Sequence, residues 1–316
     1  MLRSIRGTIV SFLLTVCQMA LLSSMARGQG AAPETAPPLF PGGGLLSVDS
    51  VFATRARMRS APPGIPLSSR PTFSQETDTT FTWGFYNNWD LSIVLPVLIK
   101  EFDSSRTTSA AGFGLGDALA LVKFRFLRRD SPRGTTQASI TLGPKFPSGA
   151  TDLTDRAGKR LPAGLQPGSG STDFFFGANG TYTGLLNLRR LVADEDFHGF
   201  FTSEGTQKTR LGSELESRFW LSYRPYEAAD GAREWFIGPD ITWLYTRADR
   251  IAGATQFGSG GDVLLAGITS YVGLRPGMHA WIALDWDVAH SDGAQFMPVR
   301  RHISFGITQQ FRMHIF

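Results

Sequence analysis

An all-β protein, a transmembrane antiparallel up-and-down β-barrel of about twelve strands, is the fold class this sequence predicts. Three observations predict it. Segments of roughly ten or more residues alternate apolar and polar side chains, the period of a strand with one greasy face. The greasy faces carry many aromatic rings, within a composition of 24 Phe, 7 Trp and 35 Gly. Short and long connections mostly alternate along the chain, as in barrels with short turns at one end and longer loops at the other.

The elements follow in chain order. Residues 1–28 read as a secretory signal peptide: Arg3 and Arg6 give a positive start, Ile9 to Leu22 is mostly apolar, and Ser24-Met25-Ala26 supplies small residues for cleavage. Cys17, the single cysteine, lies in this leader, so the mature chain is expected to have no disulfide, thiolate or cysteine metal site. Residues 29–44, rich in Pro, Gly and Ala, read as a flexible lead-in, and 45–316 as the barrel. Strands are expected near 45–58, 79–86, 89–99, 117–129, 135–146, 172–184, 197–207, 211–223, 233–248, 261–274, 280–288 and 298–315. The clearest is 135–146, where Ala138, Ile140, Leu142, Pro144 and Phe146 oppose Gln137, Ser139, Thr141, Gly143 and Lys145. Asn87-Asn88, Asp130 to Gly134 and Arg275-Pro276-Gly277 are tight turns. Longer loops fall near 59–78, 104–116, 148–171 and 249–260, and Leu185 to Thr209 breaks the alternation.

A secreted β-sandwich would also alternate, with its apolar face inward. Strand length argues for the barrel, because about ten tilted residues cross a bilayer while soluble strands average about five or six. So do Trp83, Trp89, Trp235, Trp243 and Trp286, which share the greasy phase and suit the aromatic girdles at the edges of a membrane band. The polar phase would then face the lumen, with Lys123, Arg125, Lys145, Glu214, Glu216, Arg218, Arg224, Asp240, Asp285 and Asp287 as lumen-facing candidates. Such charges either pair across the interior and hold the barrel's shape, or act as a set on what passes.

Four stretches carry a family resemblance: Trp83 to Leu91 (WGFYNNWDL), Gly112 to Leu127 (GFGLGDALALVKFRFL), Ile140 to Gly149 (ITLGPKFPSG) and Gly168 to Asp173 (GSGSTD). In order and spacing they resemble the bacterial outer-membrane family named for the MetA pathway of phenol degradation. The resemblance covers about a third of the chain, residues 80 to 185. It implies a Gram-negative outer-membrane barrel, a transporter or channel for small and often hydrophobic compounds, with outer-membrane lipid and a small-molecule solute as partners. The family supplies no catalytic residues, and none are carried over.

Other chemistry is set aside. GFGLGD has spaced glycines, but an alternating strand follows where a dinucleotide loop needs a helix. The five histidines form no metal-ligand spacing, so no metal or cofactor is expected. A formal charge of +4 is too weak to argue for nucleic acid. A barrel-borne hydrolase lacks a Gly-x-Ser-x-Gly elbow and stays a minor alternative, behind a closed structural or surface-interaction barrel. The chain ends ISFGITQQFRMHIF, with Ile303, Phe305, Ile307, Phe311, Met313 and Ile315 on one face. Its last residue, Phe316, resembles the signal read by the barrel-assembly machinery, although it stands one residue out of phase with the apolar face.

Overall fold

The computed structural model describes residues 36–55, 71–104, 108–228, 233–256, 259–291 and 299–313. The expected signal peptide, the lead-in before Ala36 and Phe316 lie outside them. Sixteen strands run through the rest: β1 (Gly43–Arg55), β2 (Phe73–Tyr86), β3 (Trp89–Ser104), β4 (Thr108–Leu115), β5 (Leu119–Ser131), β6 (Gly134–Lys145), β7 (Asp173–Thr183), β8 (Leu191–Phe201), β9 (Thr209–Arg210), β10 (Glu214–Glu227), β11 (Glu234–Thr246), β12 (Arg250–Ile251), β13 (Ala254–Thr255), β14 (Gly261–Arg275), β15 (Met278–His290) and β16 (Val299–Arg312).

Twelve of them are the staves of a closed barrel. Each pairs antiparallel with the next in the order β1-β2-β3-β5-β6-β7-β8-β10-β11-β14-β15-β16. The ring closes where β16 returns to β1, in register from Gly43↔Arg312 to Arg55↔Val299. Closure removes every free edge, the condition for a sheet in lipid. β4 is the upper half of the β5 stave: β3 pairs with β5 through Val94 and with β4 from Val97 onward. β9, β12 and β13 form a small separate sheet above the long-loop end.

The barrel is inside-out relative to a soluble protein. On β6, Ser139 is fully buried and Thr141 nearly so, while Ile140 and Leu142 are exposed at 39% and 43%. Across the described residues, buried polar side chains outnumber buried apolar ones, and exposed large apolar side chains recur on every stave of the wall. In water this arrangement would be unstable; in a bilayer the exposed face meets acyl chains and the polar face lines the interior. Staves of 11 to 16 residues reach across a hydrocarbon core when tilted. Ile307, 40% exposed in the middle of β16, tests this. Ile307→Arg is expected to destabilise the barrel by about 2–4 kcal/mol in lipid, the cost of a cation near the midplane. Folding titrations in bilayers measure it; a neutral result would contradict the assigned lipid face.

Three elements differ from the expected ones. β2 begins at Phe73 rather than near residue 79, because its upper half is polar on both faces: Gln75, Thr77 and Thr79 outward, Ser74, Glu76 and Asp78 inward. β4 occupies most of the expected 104–116 loop. β8 spans Leu191–Phe201 rather than 197–207, and the preceding short turn holds a 3-10 segment, Leu185–Asn187. The run Asp194-Glu195-Asp196 hides the alternation there. The lead-in also differs, for Ala36 to Gly42 is tied to the inner wall. Ala36 N–H donates to Thr181 Oγ1 at 3.3 Å, Leu39 N–H to the Asp90 carboxylate at 3.1 Å, and Gly42 N–H to Gly84 O at 2.7 Å. Thr181 is on β7, nearly opposite β1 in the ring, so this segment crosses the short-turn end of the interior. Its backbone donors find acceptors on lumen side chains that a composition-based reading of Pro and Gly does not anticipate.

Candidate functional site: the barrel lumen

The ten lumen-facing candidates all occupy the inward phase of their staves, and the structure groups them into three levels. At the long-loop mouth, Lys145 Nζ lies 2.5 Å from Asp173 Oδ2 and 3.2 Å from Asp117 Oδ2, and donates to Ser169 Oγ at 2.8 Å. Asp117 also accepts from the backbone N–H of Gly149 at 2.9 Å and of Ser169 at 2.8 Å. GFGLGD, PSG and GSGS, three pieces of the resemblance, therefore converge on one carboxylate that clamps the 146–172 loop to the rim. The spaced glycines also have a local reason. A Cβ on Gly112 would overlap the carbonyl of Leu165, so the loop can lie directly on β4. Within the loop, fully buried Gln166 bonds Leu153 and Leu161, and its carbonyl accepts from Lys100 Nζ at 2.9 Å.

Glu76 points inward just below and stays exposed, and it interacts electrostatically with Lys100, Lys145 and Glu214. Glu214 stands on β10, diametrically opposite β2 in the ring, so two carboxylates of like charge face each other across the upper lumen, and Lys100 and Lys145 offset them.

At mid-height, Arg218 Nη2 is 3.4 Å from Asp240 Oδ1 and 4.0 Å from Asp285 Oδ1, both on side chains with no exposed surface. Thr269 donates to Asp240 Oδ2 at 2.6 Å, and His302 Nδ1 lies 3.1 Å from Asp285 Oδ2. The two carboxylates meet because Gly267, opposite both in register, has no side chain between them. A Cβ on Gly267 would overlap the Asp285 carboxylate. Gly267→Val is expected to cost at least about 1–3 kcal/mol by overpacking, read as a lower unfolding midpoint. A stable, native-like Gly267→Val barrel would refute this account. Nearer the long loops, Asp287 pairs with His290 at 2.9 Å, and Glu216 stands opposite His198 in register.

At the short-turn end, Arg125 bonds Asn88 and Gln137, and Arg224 pairs with Glu227 at 3.0 Å and Glu234 at 3.5 Å. Lys123 lies opposite Asp90 in register. Sequence reading missed the aromatic row beside them. Phe236, Tyr271 and Trp281 sit side by side on β11, β14 and β15, packed with Trp220 and Val192. Trp281 Nε1 donates to Asp49 at 3.0 Å, and the Arg224 guanidinium lies 5.5 Å over Phe236. Aromatic residues in the polar phase of their strands were the available signal. The five girdle candidates are on the lipid face, Trp83, Trp89 and Trp235 toward the short turns and Trp243 and Trp286 toward the long loops. Among the described residues no group of three His, Cys, Asp or Glu side chains is arranged to hold a metal.

No protein-family model and no curated protein matches the chain in sequence. Solved structures do match in shape. An outer membrane channel from Pseudomonas putida F1 superposes with a TM-score of 0.58 at 12% identity, over 90% of this chain and all of that one. The β domain of the Bordetella autotransporter BrkA superposes with a TM-score of 0.50 at 10% identity, over 85% of this chain and all of that one. The chain has the fold of a bacterial outer-membrane β-barrel. At these identities the likeness is one of fold, and the lumen must carry the functional argument.

Proposed function

We propose that the chain is a passive outer-membrane channel for small molecules. The observation that carries this reading is Glu76: a carboxylate on the inner wall that stays open to solvent, facing a mixed-charge ring of Lys100, Lys145 and Glu214. An interior built only to lock the wall would exclude solvent from such a group; a wet, charged ring selects solutes by width and charge. A solute would enter past the 146–172 loop, cross the Arg218–Asp240–Asp285 level and leave past the aromatic row and Ala36 to Gly42. The resemblance to the phenol-degradation family adds small aromatic compounds as the solute class. No covalent step is involved.

The test is reconstitution. Purified barrel in a planar bilayer should give discrete conductance steps, and liposomes carrying it should leak small phenols faster than empty ones. Silence in both assays, with and without residues 29–42, would sink the reading. One observation favours a closed structural barrel instead, the lead-in tied across the short-turn end. A chain lacking residues 29–42 separates the two: conductance gained on deletion means a plugged channel, and silence in both forms means a closed barrel.

A further inference from the structure

The lipid-facing wall has one ionisable residue at mid-strand among the described residues, Glu195 on β8. Register assigns its side. Glu195 stands opposite Phe219 and Gly180, both in the outward phase. Its neighbours point inward: Asp194 accepts from Thr181 Oγ1 at 2.7 Å, and Asp196 binds Asn179 and His198. On the outer surface Glu195 lies between Tyr182 and Tyr223 toward the short turns and Phe197 and Phe201 toward the long loops. Ser217 Oγ donates to Glu195 Oε1 at 2.7 Å, also on the lipid face. Oε2 has no hydrogen-bond partner among the described residues.

A carboxyl group in hydrocarbon is costly, and an intramembrane ionisable residue marks a contact or pathway by default. No water reaches it there, and a closed sheet offers no spare backbone group. On its β7 side the residues are small, Ala178 and Gly180, and Ala193 precedes it on its own stave, so the wall is recessed there, while Phe219 and Phe197 stand on its other flank. Small residues let two membrane surfaces approach closely, and polar groups then bond across the contact. A carboxylic acid and a hydroxyl each carry a donor and an acceptor. A two-fold axis through the recess sets these groups against their own copies, an arrangement that satisfies both sides at once. We propose that this barrel pairs with a second copy of the same chain through a two-fold lipid-side contact centred on Glu195 and Ser217. The inference is independent of whether the lumen conducts.

The test uses full-length protein in a Cys17→Ala background, reconstituted at low density in bilayers. Ala178→Cys, exposed on the lipid face beside the recess, should form a disulfide-linked dimer under mild oxidation, while Ile307→Cys on the far wall should not. Dye-labelled wild type should bleach in two steps. Glu195→Gln keeps a donor and an acceptor and should still pair; Glu195→Leu should weaken pairing about tenfold, the scale of a polar contact in lipid. Heat-modified gel mobility confirms that each variant is folded. Single-step bleaching of wild type, or pairing that Glu195→Leu leaves unchanged, would overturn the proposal and leave Glu195 to a lipid or another protein.

Discussion

Arg218→Met is expected to lower the unfolding free energy by about 3–5 kcal/mol, the cost of breaking a buried ion pair by removing one partner. Asp240 and Asp285 have no exposed side-chain surface, and Arg218 is the guanidinium that reaches both, at 3.4 and 4.0 Å. Its Nη2 also donates to Thr269 Oγ1 at 3.0 Å, and Thr269 in turn donates to Asp240. Without Arg218 two carboxylates would face each other over Gly267, with His302 beside Asp285 alone. Mutual repulsion in a poorly solvated wall then opposes closure between β11 and β15. Urea unfolding in lipid, followed by tryptophan fluorescence, measures the loss. Adding Asp240→Asn should recover much of it by removing one uncompensated charge. If the double variant is no more stable than Arg218→Met alone, the carboxylate pair is not what Arg218 restrains.

The second large effect is at the mouth. Lys145→Met is expected to free the 146–172 loop, so that limited proteolysis within it speeds up by about tenfold or more, the range of local unfolding once a clamp is lost. Lys145 holds Asp173 and Asp117 with its side chain only 15% exposed, and those carboxylates are at 2% and 4%. Asp117 keeps its bonds to Gly149 and Ser169, but it then faces Asp173 with no cation between them. The wall below should stay intact, because β5, β6 and β7 remain paired through their backbones. Unfolding of the whole barrel should thus change less than loop cleavage. Equal losses in both would assign Lys145 to the wall rather than to the loop. On the channel reading, mean conductance should also rise.

Legibility tracked how strongly lipid constrains each position. Strands such as β6 and β16 were readable because an outward residue must be apolar and an inward one need not be. The upper half of β2 was not, since it is polar on both faces. β8 was not either: Glu195 puts an acid in the outward phase between two inward acids. The inward charges could be placed by phase alone, as period two is a local property of the backbone. Their partners could not. Nothing local links GFGLGD to GSGS, yet Asp117 and Ser169 meet at 2.5 Å. The aromatic row is hidden in the sequence because Trp and Tyr suit the girdles of the lipid face, whereas Trp220, Tyr271 and Trp281 fall in the other phase.

The sequence by itself determined a period-two chain with an apolar outward phase, a charged inward phase and a long-loop end distinct from a short-turn end. Those properties are set residue by residue, by what each side chain can tolerate in lipid or water. Only the tertiary structure decided that Trp281 meets Asp49 across 232 positions, that Lys145 is a clamp and Arg218 a restraint, and that Ala36 to Gly42 lies across the interior. These contacts depend on register and on closure of the ring, which bring together residues far apart in the chain whose local patterns carry no trace of one another.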